Sequence, residues 1–306
     1  MKLKRHKVEG VPFQQARWIG HKITPEVVIL HDTASAIEAG SAAAYLKDNA
    51  RKVSVHFVVE RDGSIVQQVP TNRQANHAGR SHYHGRDHVN GFSIGIEIVN
   101  PGRMEDVGGG FARTWFGQSF RIAQREGVAA AAVGELVDIR RAYTKENGDG
   151  LWMSYTPEQI IATMTLLSVL FDGIPTLRDV RTHWYVSPGR KIDTNPLFPL
   201  DQVRSAALGR EEPSEDDADE RSEEAVDDTG GAGFQATIRI GGEDGLNMRR
   251  WPSFNPNVIA QIPEGITVPV LRDGWFGEGA HRQHWLKVAY AGQHGWIASP
   301  YTDWED

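Results

Sequence analysis

Three residues of types that bind zinc lie far apart in the sequence but could be brought together by folding. His31 follows the apolar run Val27–Leu30, and His183 and Asp193 lie far downstream. Two imidazoles and one carboxylate are the ligand set of a catalytic zinc ion, which keeps a fourth position open for water. Such a site activates water for attack on a carbonyl carbon. One Zn²⁺ ion is therefore the expected cofactor.

Two further charged residues could complete this chemistry. Glu97 lies in the segment Ser93–Val99, where isoleucines alternate with Gly95 and Glu97. On a strand, Glu97 would face away from the isoleucines, beside a glycine that leaves space. A carboxylate there could move a proton. Lys191, two residues before Asp193, could stabilise the oxyanion of a tetrahedral intermediate.

Composition limits the other classes of function. The chain has 306 residues, enough for two domains, and no cysteine, which excludes disulfides, thiolate metal sites and a thiol nucleophile. No apolar run approaches the ~20 residues of a membrane span, and no basic stripe indicates nucleic-acid binding. The basic start Met1–Lys7 precedes no apolar segment, so synthesis in the cytoplasm without a signal peptide is expected.

The negative charge is concentrated in one segment. Residues 211–228 contain eleven Asp or Glu and one Arg, a local net charge of −10, against −7 for the whole chain. Like charges repel and extend such a segment, which has little to bury, although an acidic helix is an alternative. We therefore predict a first domain over 1–208, an acidic linker over 209–233 and a second domain over 234–306.

The first domain has the pattern of a mixed α/β fold, with a mixed central sheet flanked by helices. A long insertion is predicted at about 101–151. The expected elements are a buried strand at Val27–Leu30, a helix at Ser41–Asp48, strands at Val53–Glu60 and Ser64–Val69 around a turn at Arg61-Asp62-Gly63, a strand at Ser93–Val99, a helix near Phe120–Tyr143 in the insertion, and a helix from the capping box Thr156-Pro157-Glu158-Gln159 to about Phe171. His82, His84 and His88 are expected in a solvated loop.

The second domain has the pattern of a small all-β barrel, because short apolar runs alternate with turn residues. The runs are Gly245–Arg249, Val258–Ile262, Thr267–Leu271, Trp285–Val288 and Gly295–Ile297. Trp296 is expected in the core of this domain.

Several ordered motifs give the first domain a family resemblance. They are Ile29–Ala34, Val53–Gly63, Ala75–Gly79, Ser93–Ile98, Thr182-His183 and Gly189–Asp193. This series resembles the zinc-dependent N-acetylmuramoyl-L-alanine amidases of the type 2 class, which are related to peptidoglycan-recognition proteins and to phage T7 lysozyme. The resemblance covers about residues 25–205 and implies the zinc amidase fold.

The resemblance also implies roles for single residues. It makes His31, His183 and Asp193 the zinc ligands, Glu97 the catalytic acid/base and Lys191 the residue that stabilises the oxyanion. Substrate-binding positions in the cleft correspond to His56, His77 and Asn76. Asn76 replaces the aromatic residue usual before His-Ala-Gly, so that wall of the cleft is expected to differ from the family pattern. Thr194 replaces the usual proline after Asp193, and Pro196 follows slightly later.

The C-terminal part resembles bacterial SH3-like (SH3b) cell-wall-binding domains. The pattern lies in Leu246–Arg249, Pro252-Ser253, Trp285–Val288 and Gly295–Ile297. Such a domain would hold an enzyme on its polymeric substrate. Trp275 and Trp251 are the residues expected to bind the wall by stacking on sugars, although they could instead fill the interior of the barrel.

Together these features predict a zinc amidase that cleaves the bond between N-acetylmuramic acid and L-alanine, with peptidoglycan as its partner. The layout is that of a phage or prophage endolysin, which acts on the cell wall after its release from the cytoplasm. Two alternatives stay open. One is a peptidoglycan-binding or recognition protein without activity, and the other is a cytoplasmic amidase that recycles soluble muropeptides.

Overall fold

The computed structural model describes residues 1–122, 138–208, 234–242, 245–250, 252, 254, 258–276 and 283–304. The chain divides into two compact units. The first comprises Met1–Gly79, Asn90–Tyr185 and Lys191–Glu211, and the second comprises Arg80–Val89, Val186–Arg190 and Glu212–Asp306. The domain bounds expected from the sequence stay predictions, and the linker 209–233 lies outside the described residues.

In its described residues, the first unit contains two five-stranded sheets, one two-stranded sheet and four helices. Its strands and those of the hairpin at 82–87 are β1 (Leu3–Lys4), β2 (Lys7–Val8), β3 (Val27–Asp32), β4 (Phe57–Val59), β5 (Ile65–Gln67), β6 (His82–Tyr83), β7 (Arg86–Asp87), β8 (Ser93–Ile98), β9 (Arg103–Asp106), β10 (Phe111–Thr114), β11 (Ser119–Arg121), β12 (Ile139–Thr144), β13 (Gly148–Met153) and β14 (Asp179–Thr182). The helices are α1 (Ser41–Lys47), α2 (Pro157–Gly173), α3 (His183–Val186) and α4 (Leu200–Leu208), with a 3-10 turn at Val89–Gly91.

The central sheet has the strand order β14-β3-β8-β4-β5. β14, β3, β8 and β4 are parallel, and the edge strand β5 pairs antiparallel with β4. This confirms the mixed sheet and the hairpin at Asp62-Gly63. Because parallel strands end at the same edge of a sheet, the residues that follow β3 and β14 come together there.

Helices cover both faces of the central sheet. Leu166 and Leu170 of α2 pack with Leu30 and Ile96 of the sheet, together with residues of α4. On the opposite face, Leu46 of α1 packs with other buried apolar residues. Strand alternation turns the three isoleucines of β8 toward α2, so the other face of β8 carries Ser93, Gly95 and Glu97. The predicted direction of Glu97 is confirmed.

The start of α2 follows its sequence signal. The Thr156 hydroxyl accepts a hydrogen bond from the Gln159 backbone amide at 3.1 Å, and the Gln159 side chain accepts one from the Thr156 amide at 3.1 Å. Pro157 occupies the first helical turn, where it has no backbone hydrogen bond to lose. The predicted capping box is therefore present.

The insertion forms an antiparallel sheet in the order β11-β10-β9-β13-β12. The prediction of a helix near Phe120–Tyr143 is wrong at both ends, which are strands β11 and β12; residues 123–137 lie outside the described part. At the C-terminal end, the Asn147-Gly148 turn brings β12 against β13. Gly148 adopts a φ of +72°, which closes a hairpin between β12 and β13.

The second unit contains an antiparallel sheet. Its strands are β15 (Gln235–Ile238), β16 (Leu246–Arg249), β17 (Val258–Ile262), β18 (Thr267–Phe276), β19 (Gln283–Tyr290), β20 (Gln293–Ala298) and β21 (Thr302–Asp303), in the order β17-β16-β20-β19-β18-β15-β21. In the described part of 234–306 the elements are strands and one 3-10 turn at Ser299–Tyr301, which agrees with the predicted β domain, whereas its barrel form stays a prediction. Trp296 is 2% exposed, as expected of a core residue. β6 and β7 form a short hairpin in which His82 is buried and pairs with Asp87, so the prediction of a solvated loop is wrong for His82.

Within the described residues, no helix combines the length and the apolar character needed to cross a membrane.

Candidate metal centre and active site

Three side-chain atoms converge at the carboxyl edge of the central sheet. The Nδ1 atoms of His31 and His183 lie 2.9 Å apart, and Asp193 Oδ2 lies 3.2 Å from the first and 2.9 Å from the second. In a tetrahedral zinc site with bonds of about 2.0–2.1 Å, neighbouring ligand atoms are roughly 3.3 Å apart. The observed spacing is therefore close to that of three zinc ligands. Among the described residues this is the one group of histidine and acidic side chains with the spacing to hold a metal ion.

The parallel sheet explains why residues so distant in sequence meet. β14 pairs with β3 so that Thr182 lies opposite Leu30. The next residue in each segment is a ligand: His31 on β3, and His183 at the start of α3, directly after β14. Asp193 returns to the same edge, where its carbonyl accepts a hydrogen bond from the Trp184 amide at 2.8 Å. One ligand thus lies on a strand, one lies where a strand passes into a helix, and a loop supplies the third.

Both histidines have a partner on the far side of the ring. His183 Nε2 donates to the Ala78 carbonyl at 3.0 Å, and His31 Nε2 lies 2.9 Å from His77 Nδ1. A nitrogen that binds a metal carries no proton, so with a metal on Nδ1 His31 would carry its proton on Nε2 and donate it to His77. His77 Nε2 in turn bonds the Ser93 hydroxyl at 3.1 Å. This chain of contacts holds each ring with its Nδ1 atom toward the centre.

The electrostatics favour a bound cation. Burial, reinforced by the neighbouring His183, lowers the pKa of His31 to about 4, so its imidazole is neutral at pH 7. Burial opposes ionisation of Asp193, but His183 and His31 outweigh it and hold the pKa of this carboxyl well below its usual value. Neutral imidazoles and an ionised carboxylate are the states in which these side chains bind zinc.

Glu97 lies beside the ligand set on the same face of the sheet. It is the register partner of His31 between β3 and β8, and partners across parallel strands point to the same face. Its Oε2 atom is buried and has no hydrogen-bond partner among the described residues. Burial raises the pKa of Glu97 well above its usual value, and Asp193 and Asp32 add to this effect, whereas Lys191 opposes it. Lys191 is therefore within electrostatic reach of Glu97.

The other residues predicted to bind substrate in the cleft, His56, His77 and Asn76, form hydrogen bonds to groups of the protein itself. His56 is fully buried; its Nε2 donates to the Arg73 carbonyl at 2.8 Å, and its Nδ1 accepts from the Gly95 amide at 3.0 Å. His77 is 7% exposed and lies behind His31. Asn76 is half-buried and its side chain donates to the Lys52 carbonyl at 3.0 Å. Their roles in substrate binding stay predictions, and the contacts of His77 indicate that it positions a ligand.

A buried brace links the two ligand segments and was missed from the sequence. Tyr155 donates a hydrogen bond to Asp32 Oδ1, and the Asn195 amide donates to Asp32 Oδ2 at 2.9 Å. Asp32 follows His31 and Asn195 lies two residues after Asp193, so the brace ties both ligand segments together. Burial raises the pKa of Asp32 to about 8, although the hydrogen bond from Tyr155 opposes this shift.

The insertion supplies a second support that was missed. Asn147, in the turn between β12 and β13, is 4% exposed, and its amide donates to the carbonyls of Ile192 and Thr194, the latter at 2.9 Å. These carbonyls flank Asp193. The Thr144 hydroxyl in turn bonds the Asn147 side chain at 2.6 Å. The dipeptide Asn147-Gly148 is a hairpin signal that could have located this turn.

Comparison with known proteins agrees with this site. A family model described as N-acetylmuramoyl-L-alanine amidase matches residues 21–196, which include all three ligands and Glu97. The chain belongs to this family. The zinc ligand types and the mixed α/β fold agree with that membership.

Curated relatives match over shorter stretches. The 1,6-anhydro-N-acetylmuramyl-L-alanine amidase AmpD of Escherichia coli (strain K12) is 55% identical over 47 residues, 15% of this chain and 26% of AmpD. The amidase CwlA of Bacillus subtilis (strain 168) is 38% identical over 77 residues, 24% of this chain and 25% of CwlA. These alignments span about a quarter of each relative's length.

Solved structures of amidases are also similar. A crystal structure of AmpD covers 67% of this chain and 99% of its own, at 21% identity and a TM-score of 0.45. The amidase AmiD of E. coli, solved in complex with an anhydro-N-acetylmuramic acid peptide, covers 65% of this chain and 62% of its own, at 25% identity and a TM-score of 0.41.

Proposed function

We propose that this protein hydrolyses the amide bond between the lactyl group of N-acetylmuramic acid and L-alanine in peptidoglycan. The observation that carries this proposal is the convergence of His31, His183 and Asp193 beside the buried carboxyl of Glu97. Two imidazoles and one carboxylate suit one Zn²⁺ ion, and membership of the amidase family agrees with this bond as the target.

Different residues around the centre carry out different parts of the hydrolysis. Zinc, when bound, polarises a carbonyl and lowers the pKa of water. Glu97 accepts the proton of the attacking water and passes it to the nitrogen of the leaving L-alanine. Burial, which raises the pKa of Glu97, makes its carboxylate a stronger proton acceptor. The ammonium group of Lys191 offsets the negative charge that develops on the carbonyl oxygen.

The C-terminal unit fits a role in holding the enzyme on the cell wall. We infer an SH3-like wall-binding domain, supported by its antiparallel sheet and by the sequence pattern of its strands. Trp275 is 62% exposed, and its ring lies 5.1 Å from that of His284, so an aromatic surface is available for wall polymer. Trp251, the other residue proposed to bind the wall, lies outside the described residues. A catalytic unit joined to such a domain suits an endolysin that acts on the cell wall.

The test is digestion of purified sacculi, with the products identified by mass spectrometry. We compare the untreated protein, the protein after chelation and zinc return, Glu97→Ala, and Glu105→Ala as a control on an exposed carboxylate of the insertion sheet. The expected result is release of peptides that begin with L-alanine, lost on chelation, restored by zinc and reduced at least 100-fold in Glu97→Ala alone.

Other outcomes would change the assignment. Co-sedimentation with sacculi without any cleavage would overturn the proposal in favour of a binding protein. Cleavage of soluble anhydromuramyl peptides but not of sacculi would overturn the wall-degrading role in favour of muropeptide recycling.

A further inference from the structure

Trp115 has the largest exposed fraction of any large apolar side chain among the described residues, 72%. It lies in the turn between β10 and β11 of the insertion sheet. Single exposed apolar residues are common on protein surfaces, so exposure alone has no functional meaning. What distinguishes Trp115 is that its one polar atom is fixed: Nε1 donates a hydrogen bond to the Ala34 carbonyl at 2.8 Å. The ring is therefore held in place while most of its surface faces solvent.

The anchor of Trp115 is itself well supported and close to the metal ligands. Ala34 is three residues beyond His31, a separation of at most about 10 Å along the chain. The preceding residue, Thr33, exchanges two hydrogen bonds with the Asn100 backbone, each at 3.2 Å. Asn100 is buried, and its side chain donates to the Met153 carbonyl at 3.0 Å. These contacts fix the indole at the edge of the sheet where His31 lies.

We propose that Trp115 is a substrate-binding residue that stacks against a pyranose ring of the glycan strand. This inference rests on the proposed function, because it assumes that the metal centre acts on a bond attached to a sugar. The insertion then determines specificity by presenting an aromatic surface beside the catalytic edge.

The chemistry favours a sugar over a peptide as the occupant. A pyranose presents C–H groups on one face and hydroxyls at its rim, and the electron-rich face of an indole attracts such C–H groups. A peptide backbone needs hydrogen-bonding partners, but the indole N–H of Trp115 is already used by Ala34. A flat, fixed and apolar surface therefore suits the face of a sugar ring, and its fixed position lowers the entropic cost of binding.

The test uses the full chain with zinc bound and four proteins: wild type, Trp115→Ala, Trp115→Phe and Tyr143→Ala. Tyr143 is the matched control, because it is 70% exposed and lies on β12 at the opposite edge of the same sheet. Binding of peptide-free glycan strands is measured by calorimetry, and KM and kcat are measured on a soluble disaccharide peptide. We expect Trp115→Ala to weaken glycan binding and raise KM about tenfold, with kcat within about twofold.

The phenylalanine variant separates stacking from bracing. Trp115→Phe keeps an aromatic ring but loses the hydrogen bond to Ala34, so stacking predicts partial rescue. If Trp115 only braces the loop, the phenylalanine and alanine variants lose the same amount, mainly in kcat and zinc affinity, and the inference is overturned. It is also overturned if Trp115→Ala matches Tyr143→Ala, or if it loses affinity for free stem peptide but not for glycan.

The two proposals fail in different ways. Absence of L-alanine-terminated products with the wild type rejects the proposed function, whereas the calorimetric measurement on glycan strands still tests Trp115 without any catalysis.

Discussion

Gly95 should tolerate no side chain, because the His77 ring lies directly against it. An added Cβ would lie 2.5 Å from His77 Cγ and 2.7 Å from its Nδ1, closer than carbon atoms approach in proteins. The ring cannot easily move away, because its two nitrogens bond His31 and Ser93 at 2.9 and 3.1 Å. Gly95→Ala must therefore shift a buried ring that supports a metal ligand.

The cost can be worked out from these contacts. Overpacking a filled site by one methyl group costs about 1–3 kcal/mol, and weakening one buried hydrogen bond adds about 1 kcal/mol. We expect Gly95→Ala to lower the free energy of unfolding by about 2–4 kcal/mol in zinc-free protein. Zinc affinity should fall about 10- to 100-fold, as is typical when a partner of a metal-ligating histidine is disturbed.

Urea unfolding in the presence of chelator measures the first quantity, and competition with a chromogenic chelator measures the second. Gly91→Ala is the matched control: it lies just before β8, and an added Cβ would meet no atom within 4 Å. We expect its effect on stability to be within about 0.5 kcal/mol. If both variants behave alike, the packing of His77 on Gly95 is refuted. If Gly95→Ala loses stability but keeps its zinc affinity, the supporting role of His77 is refuted.

Three further outcomes test other parts of the site. His56→Asn should make the free energy of unfolding less dependent on pH. Burial lowers the pKa of His56 from 6.5 to about 4 in the folded protein, so as the pH falls the unfolded chain binds this proton at a higher pH than the folded protein does. The wild type should thus lose about 3 kcal/mol through this group as pH falls from 6.5 to 4, as read from urea midpoints. Asn147→Ala should lower zinc affinity about tenfold in the chelator competition, because the carbonyls flanking Asp193 lose their donor, whereas Asp149→Ala on the same hairpin should leave it unchanged. Thr156→Ala should cost about 1 kcal/mol of stability in urea unfolding, since it removes a helix cap, and should leave kcat unchanged.

Local signals in the sequence were sufficient for the elements that carry the ligands. The apolar run before His31 predicted a buried strand, and the alternation around Glu97 predicted a strand and the direction of the Glu97 side chain. The capping box at Thr156 predicted the start of α2. These features depend on residues a few positions apart, so a pattern in the chain reports them directly.

Contacts between distant segments could not be predicted in the same way. Nothing in the composition of the insertion indicates that Asn147 reaches the carbonyls beside Asp193, because that contact depends on how two loops pack. The motif containing His77 indicated a place near the cleft but not which way the ring faces. In the structure it faces His31, and this direction is set by the space above Gly95.

Through Asn147 and Trp115 the insertion contacts two different ligand segments, and because these contacts are separate, the role of each can be tested alone and together. Asn147 holds the loop of Asp193, and Trp115 is fixed to the segment that follows His31. If each acts as argued, one substitution changes zinc affinity and the other changes KM. The double variant Asn147→Ala, Trp115→Ala should then lose as much zinc affinity as Asn147→Ala alone and gain as much in KM as Trp115→Ala alone. Expressed as free energies, the two effects should add within about 0.5 kcal/mol. If instead the two residues only keep the insertion folded, the first substitution should already cause both losses and the second should add little. Double-mutant cycles in zinc affinity and in KM would separate these two cases.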